Sequence, residues 1–188
     1  MDAVRGQRGF SMIEVLITLI LISIGILGMV AMQGRTVQYT QDSVQRNTAA
    51  MLANDLLELM RANSNAVLDG DGIPKAASDY YKATGAAFPA AAASCSPLPI
   101  DPGQQLGCWA AQAQALLPGA DSLMKNDFLI CRSNGSTCSS AGRLIEIQMA
   151  WQTAKGQCLD TSSTTAKDSD ASNAAANETC HYVVHVEI

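Results

Sequence analysis

One uncharged stretch, residues 15–32, constrains this chain more than any other part of its sequence. No residue from Val15 to Met32 carries a formal charge, and most side chains there are aliphatic. A helix needs about 20 predominantly apolar residues to cross the hydrocarbon core of a bilayer. The stretch therefore predicts a membrane-spanning helix that is hydrophobic on every side. Arg5 and Arg8 precede it, which favours a cytoplasmic N-terminus.

The segment that joins the basic leader to this helix reads G-F-S-M-I-E, from Gly9 to Glu14. It resembles the type III signal of type IV pilins and pseudopilins. The resemblance implies that prepilin peptidase removes residues 1–9 by cutting between Gly9 and Phe10, and that the same enzyme methylates the new Phe10 amine. It also implies that Glu14 serves subunit assembly by pairing with the Phe10 amine of a neighbouring subunit. The expected product is a filament subunit and not an enzyme.

Two other interpretations of the apolar stretch stay open. A cleaved secretory signal has an apolar region of about 7–15 residues before a small-residue cleavage site, but this run is longer and no convincing site follows it. A plain membrane anchor fits the length, and an acid near the helix N-terminus would be stabilised by ~0.3–1 kcal/mol. That interpretation does not explain why Gly9, Phe10 and Glu14 fall in register.

Two glycines, Gly25 and Gly28, interrupt the apolar run. Small residues allow close helix packing in membranes. The resemblance offers a second explanation, in which this part of the helix loosens when subunits pack in the filament.

After Met32 the pattern stays helical and becomes amphipathic, with no proline before Pro74. We expect one helix that runs from about Phe10 to Ala62 and stops at Asn63-Ser64-Asn65. Its residues 10–32 would form the transmembrane or filament-core half, and residues 33–63 the amphipathic half. The expected apolar face of the second half is Val37, Val44, Met51, Leu52, Leu56, Leu59 and Met60. Residues 64–188 would form a periplasmic globular head on this helix.

All the cysteines lie in the C-terminal half, at Cys95, Cys108, Cys131, Cys138, Cys158 and Cys180. An even number on one side of a membrane span indicates disulfides and an oxidising compartment. Sequence alone leaves the connectivity open, and pairing between neighbours in sequence is the simplest prediction: Cys95–Cys108, Cys131–Cys138 and Cys158–Cys180. The spacing disfavours zinc, which prefers closely spaced cysteine or histidine pairs.

The pattern of apolar and turn-forming residues in the head predicts a short helix and three strands. The helix would cover Trp109–Leu117, after an irregular connection over residues 86–103. The strands would cover Asp127–Cys131, Leu144–Trp151 and Tyr182–Ile188. We therefore expect the strands to form an antiparallel meander that packs on the long helix. This arrangement is an α+β, type IV pilin-like fold. Residues 160–177 are polar and of low complexity, which predicts a solvated loop.

Composition and motifs argue against several other functions. The net charge of −5 and the aromatic content of 5% disfavour nucleic-acid binding, which needs basic groups and stacking surfaces. His181 and His185 read as ordinary strand residues, and the Asp69–Gly72 segment reads as a turn instead of a calcium loop. We expect no metal, no cofactor and no catalytic site.

Sequence segments further along the chain resemble one subgroup of this family. The stretch Leu52–Asn63, the Cys108-Trp109 pair, Leu116–Gly119 and Ile147–Gln152 are similar to the corresponding parts of PilV-type minor pilins. This implies a low-abundance subunit that works with other minor pilins and the major pilin, primes pilus assembly, lies at or near the tip and supports twitching motility and attachment. It would span the inner membrane once, with a periplasmic head, and become extracellular in the pilus. The alternative is a minor pseudopilin of a type II secretion system.

Overall fold

The computed structural model describes residues 11–155, 157–158 and 177–188. Gly9, Phe10 and nearly all of the predicted loop over residues 160–177 lie outside the described residues. The chain separates into two compact units, residues 1–40 and residues 41–188. The second unit holds the end of the long helix together with the head, so the head domain begins inside that helix.

The long helix α1 runs from Met12 to Ala62. It ends where the sequence predicts, because the backbone of Asn63 (φ −117°, ψ 43°) leaves the helical region. The backbone N–H and the side-chain Nδ2 of Asn63 both donate to the carbonyl oxygen of Leu59, at 3.1 and 2.9 Å, and so stabilise the last turn. A single turn, α2 (Ser64–Val67), follows directly.

The head contains a three-stranded antiparallel meander in the order β1-β2-β3. Its strands are β1 (Leu129–Ser133), β2 (Leu144–Ala154) and β3 (Asn177–Val186). The predicted meander is confirmed, but the strands begin and end at other residues than predicted. The first strand starts two residues late because the backbone N–H of Asp127 still donates to the carbonyl of Leu123, in the preceding turn.

The third strand starts earlier than its β-branched run suggests. Asn177, Glu178 and Thr179 pair with the end of β2, where Thr179 lies opposite Gln152. Asn177 and Glu178 have low strand propensity, so the ladder with β2 decides their conformation. The pairing also places Cys180 opposite Trp151, and both are buried in the core.

One face of α1 closes this core. Leu52, Leu56 and Met60 are fully buried and belong to the same cluster as Ile147 and Met149 of β2. Burying one such side chain contributes about 1.5–3 kcal/mol. The long helix therefore packs against the sheet through residues that lie well beyond its apolar N-terminal stretch.

The predicted apolar face of α1 was partly wrong. Val37, Val44 and Met51 are 58%, 52% and 49% exposed, whereas the neighbouring Leu52 is fully buried. Successive residues of a helix point about 100° apart. Met51 and Leu52 therefore cannot share a face, and within the second unit Val44 and Met51 form a separate exposed stripe.

The second long helix, α3 (Pro102–Leu116), begins seven residues before the predicted start at Trp109. Asp101 caps it, because its Oδ1 accepts from the backbone N–H of Gln104 at 2.8 Å. Pro102 stands in the first turn, where its missing N–H costs nothing. The predicted irregular connection therefore ends at Asp101, and a short helix α4 (Ala120–Leu123) follows α3.

Candidate functional site

The charge that the sequence places before the membrane segment, Glu14, lies in the first turn of α1. The carbonyl of Ser11 accepts from the backbone N–H of Glu14 at 3.0 Å and from that of Val15 at 3.3 Å. Ser11 therefore marks the helix start, and the Glu14 side chain is exposed beyond it. The two residues of the predicted cleavage site, Gly9 and Phe10, lie outside the described part of the chain.

The helix that follows Glu14 presents apolar side chains on all sides. Every residue from Met12 to Met32 is exposed, including Ile20 at 59% and Leu27 at 69%. The stretch Met12–Gly34 is long and apolar enough to cross a membrane. Such a surface is unfavourable in water, so it must be covered by lipid or by other apolar helices.

The polar groups of this stretch are satisfied inside the helix. Thr18 Oγ1 donates to the carbonyl of Val15 at 2.9 Å, and Ser23 Oγ donates to the carbonyl of Leu19 at 2.7 Å. Apolar surroundings require such internal pairing, because no water is present to replace it. Glu14 is therefore the conspicuous polar exception at the start of the helix.

The glycines of α1 pack against no other part of the chain that the structure describes. A Cβ added to Gly25, Gly28 or Gly34 would meet no atom within 4 Å. Each glycine weakens a helix interior by about 1 kcal/mol relative to alanine. Their small size therefore matters for helix flexibility or for a neighbouring molecule, and both explanations offered by the sequence stay open.

Two family models cover the first half of the chain in succession. Residues 4–30 match the prokaryotic N-terminal methylation motif, and residues 31–98 match the type IV pilin Tt1218 family. The chain belongs to the type IV pilin superfamily. No curated protein and no solved structure gives a match, so these two models carry the assignment. The motif implies processing by prepilin peptidase and assembly with other pilins, in a family whose members are structural proteins.

This pilin carries three disulfides in its head. They join Cys95 to Cys108, Cys131 to Cys138 and Cys158 to Cys180, the same pairs as the sequence-neighbour pairing. The first ties an extended loop to α3, the second closes the turn after β1, and the third joins the residues that follow β2 to β3.

Polar clusters of the pilin head serve the fold. Ser133 Oγ donates to Glu146 Oε2 at 2.8 Å, and His185 Nε2 lies 3.2 Å from the same oxygen. Ser133 and Glu146 are buried, so this hydroxyl does not face a substrate. Cys131 and Cys138 lie beside Glu146, but their sulfurs are bonded to each other and are not thiolate ligands.

His181 and Asp69, two residues that the sequence offers as candidate metal ligands, have local structural roles. His181 Nε2 lies 3.5 Å from Asp127 Oδ1, in a strand pairing position as predicted. Asp69 Oδ1 accepts from the backbone N–H groups of Asp71 and Ile73 at 3.0 and 2.9 Å. That carboxylate oxygen therefore stabilises the turn that the sequence predicts over 69–72.

A buried polar network went unpredicted. Asn63 Nδ2 donates to Gln105 Oε1 at 3.0 Å, and the hydroxyl of Tyr80 donates to the same oxygen. Gln105 Nε2 in turn donates to the carbonyl of Pro99 at 2.7 Å. Burial raises the pKa of Tyr80 to about 12, the hydrogen bond from Asn63 opposes this shift, and the charge of Asp101 adds to it. The network joins the end of α1 to α3 and to two loops.

Lys82 was also missed, because nothing in its local sequence marks it as buried. Its ammonium Nζ donates to the carbonyls of Lys125 and Phe128 at 2.6 and 2.7 Å and lies 5.4 Å from the ring centroid of Phe88. Burial lowers the pKa of Lys82 to about 8, and Asp127 partly opposes the shift. Its backbone also pairs with Ile130, which extends the sheet beside β1.

Proposed function

We propose that this pilin is a PilV-type minor subunit of a type IV pilus. Prepilin peptidase cuts it between Gly9 and Phe10 and methylates Phe10. The mature subunit spans the inner membrane once through residues 10–32, with its head in the periplasm. From there it enters the pilus, where with other minor pilins it primes assembly at or near the tip.

The observation that carries this proposal is the acid at the start of an exposed apolar helix. A charged carboxylate at the centre of a bilayer costs ~2.5–3.5 kcal/mol on insertion scales. A plain anchor would gain from Glu14 only the ~0.3–1 kcal/mol that a negative charge contributes near a helix N-terminus. A subunit that must dock in one register gains a specific partner, because the Phe10 amine exposed by cleavage is protonated at neutral pH. We assign Glu14 to pairing with that amine on a neighbouring subunit.

The exposed stripe on α1 supports a subunit role in the same way. Val44 and Met51 belong to the unit that contains the head, and both point to solvent. Core-forming residues of α1 lie on another face, so these two are not needed for the fold. Neighbouring pilins in a filament would cover them.

The head supports export from the cytoplasm. Its cysteines are all paired among the described residues. Structural disulfides persist in oxidising compartments such as the periplasm and the cell surface. This agrees with the orientation that Arg5 and Arg8 favour.

The N-terminal peptide of the native membrane protein tests the proposal. Mass spectrometry is expected to find a mature chain that starts at N-methylated Phe10. A chain that still carries Arg5–Gly9 would establish an uncut anchor and overturn the subunit assignment. A Gly9→Val variant supplies the control, because a branched residue before the cut should leave the leader in place.

A second experiment decides which machine uses the subunit. A deletion strain is expected to lose twitching motility and surface attachment and to keep secretion of exoproteins. The reverse result would assign the protein to a type II secretion system as a minor pseudopilin. Complementation with the full chain controls for effects on neighbouring genes.

A further inference from the structure

The head carries a surface groove of about 530 Å³ between the last turns of α1 and helix α3. A loop that precedes α3 forms its third wall. The residues that decide its chemistry are Asp55, Glu58, Leu59, Leu98, Trp109 and Gln112.

The charge of the groove has one sign. Its charged lining residues are the acids Asp55 and Glu58, and no basic residue is among those that line it. Glu58 Oε1 pairs with Arg61 Nη1 at 2.9 Å on the outer surface of α1. Asp55 is exposed and has no ion pair within the described part of the chain. The groove is therefore suited to a cation that comes from another molecule.

The loop wall presents aliphatic side chains to water. Leu98, which lines the groove, is 49% exposed, and Ile100, two residues further along the same loop but not among the lining residues, is 93% exposed. Large exposed aliphatic side chains this close together provide apolar surface on which a partner can pack.

The loop is held in place from both ends. The Cys95–Cys108 disulfide ties its start to α3, and the side chain of Gln105 binds the carbonyl of Pro99. Pro97 and Pro99 restrict the backbone further, because proline fixes φ. A wall that is already ordered loses little conformational entropy when a partner binds.

We propose that this groove docks a segment of a neighbouring pilin subunit that carries a lysine or arginine next to aliphatic side chains. The basic group pairs with Asp55, and the aliphatic groups cover Leu98 and Leu59. This assignment rests on the proposed function, since it takes the partner to be a subunit of the same filament.

Photocrosslinking in piliated cells tests the docking site directly. A photoreactive amino acid replaces Gln112, which lines the groove, or Gln104, an exposed glutamine of the same helix that does not. The adducts are identified by peptide mass spectrometry. Gln112 is expected to give an adduct with a pilin peptide that contains a basic residue near aliphatic ones, and Gln104 is not.

Matched variants test the chemistry of the adduct. Asp55→Lys is expected to lower its yield at least about fivefold, whereas Asp71→Lys makes the same charge change outside the groove and leaves it unaltered. Leu98→Ser is expected to lower the yield, and Leu116→Ser, at a leucine that is 43% exposed, is not. Gel mobility without reductant, which reports the disulfides, checks that each variant folds.

A photoreactive group at Val15 separates this inference from the proposed function. Adducts with pilins from Val15 but none from Gln112 would overturn the docking site and leave the subunit role standing. An adduct from Gln112 with an acidic segment, or one unaffected by Asp55→Lys, would also overturn it. Absence of pilin adducts at both positions would overturn the docking site together with the proposed function.

Discussion

At the scale of single residues, Lys82 is a cation that the head buries almost completely. Two carbonyls and an aromatic face surround its ammonium, and burial lowers its pKa to about 8 from an ordinary value of 10.5. The unfolded chain therefore binds this proton more tightly than the folded head does. Between about pH 8 and pH 10.5 the Lys82 contribution should raise the free energy of unfolding as pH rises.

The test compares Lys82→Met with the native chain in urea unfolding followed by tryptophan fluorescence at several pH values. Native minus variant stability is expected to increase from pH 8 to pH 10.5. The comparison matters because folding raises the pKa of Tyr80 from 10.0 to about 12, so the Tyr80 contribution lowers the free energy of unfolding as pH rises above about 10. Lys125→Met, at an exposed lysine, should leave the slope unchanged, and an equal slope in all three proteins would contradict the prediction.

Glu14 is the residue on which assembly is expected to depend. Glu14→Ala should block filament incorporation, because the neighbour's terminal amine would enter an apolar environment without its partner. Membrane insertion and leader removal should be unaffected. The measurements are the amount of the subunit in sheared pili and the mass of its N-terminus in membranes.

Two further variants separate the charge of Glu14 from its position. Glu14→Asp keeps a carboxylate and should retain part of the incorporation. Thr18→Ala changes a polar group one turn later and should be neutral. Normal incorporation of Glu14→Ala would refute the pairing.

At the scale of elements, α3 packs closely against the backbone of the loop at residues 90–91, and the sequence of α3 does not predict this contact. A Cβ added at Gly107 would lie 2.6 Å from the carbonyl oxygen of Ala90. Gly107→Ala is therefore expected to lower the free energy of unfolding by about 1–3 kcal/mol, as overpacking does. Gly70→Ala, which meets nothing within 4 Å, is expected to change it by less than about 1 kcal/mol. Equal urea midpoints for the two variants would show that the 90–91 loop can move away.

At the scale of the whole molecule, α1 divides its surface between folding and assembly. Met51 and Leu52 are neighbours, yet one is 49% exposed and the other is fully buried. Leu52→Ser should destabilise the head by at least about 2–5 kcal/mol. Met51→Ser should leave stability nearly unchanged and lower incorporation into pili, because a polar group would then face a neighbouring subunit.

The two measurements are urea unfolding of the purified protein and subunit content of sheared pili. Thr48→Ser, a conservative change on the same helix, serves as the control for incorporation. Loss of stability without loss of incorporation in Met51→Ser would reverse the assignment of the two faces.

The sequence by itself determined the features that rest on local patterns. An uncharged apolar run, the G-F-S-M-I-E string and the Asn63 stop each lie within a few residues, so the long helix and its family could be inferred directly. Short apolar or β-branched runs located the three strands, whose ends lie up to five residues from the predicted ones. The cysteine connectivity, which the sequence left open, follows the simplest pairing, between neighbours in sequence.

Only the tertiary structure decided what depends on residues far apart in the chain. The strand ladder, and not propensity, extended β3 to Asn177. Packing against β2 and α3 selected Leu52 over Met51 as the buried face of α1. Lys82 is buried because carbonyls more than forty positions away surround its ammonium, and no local pattern records such a contact. Burial and long-range hydrogen bonding are properties of the folded chain, which is why these features became visible only there.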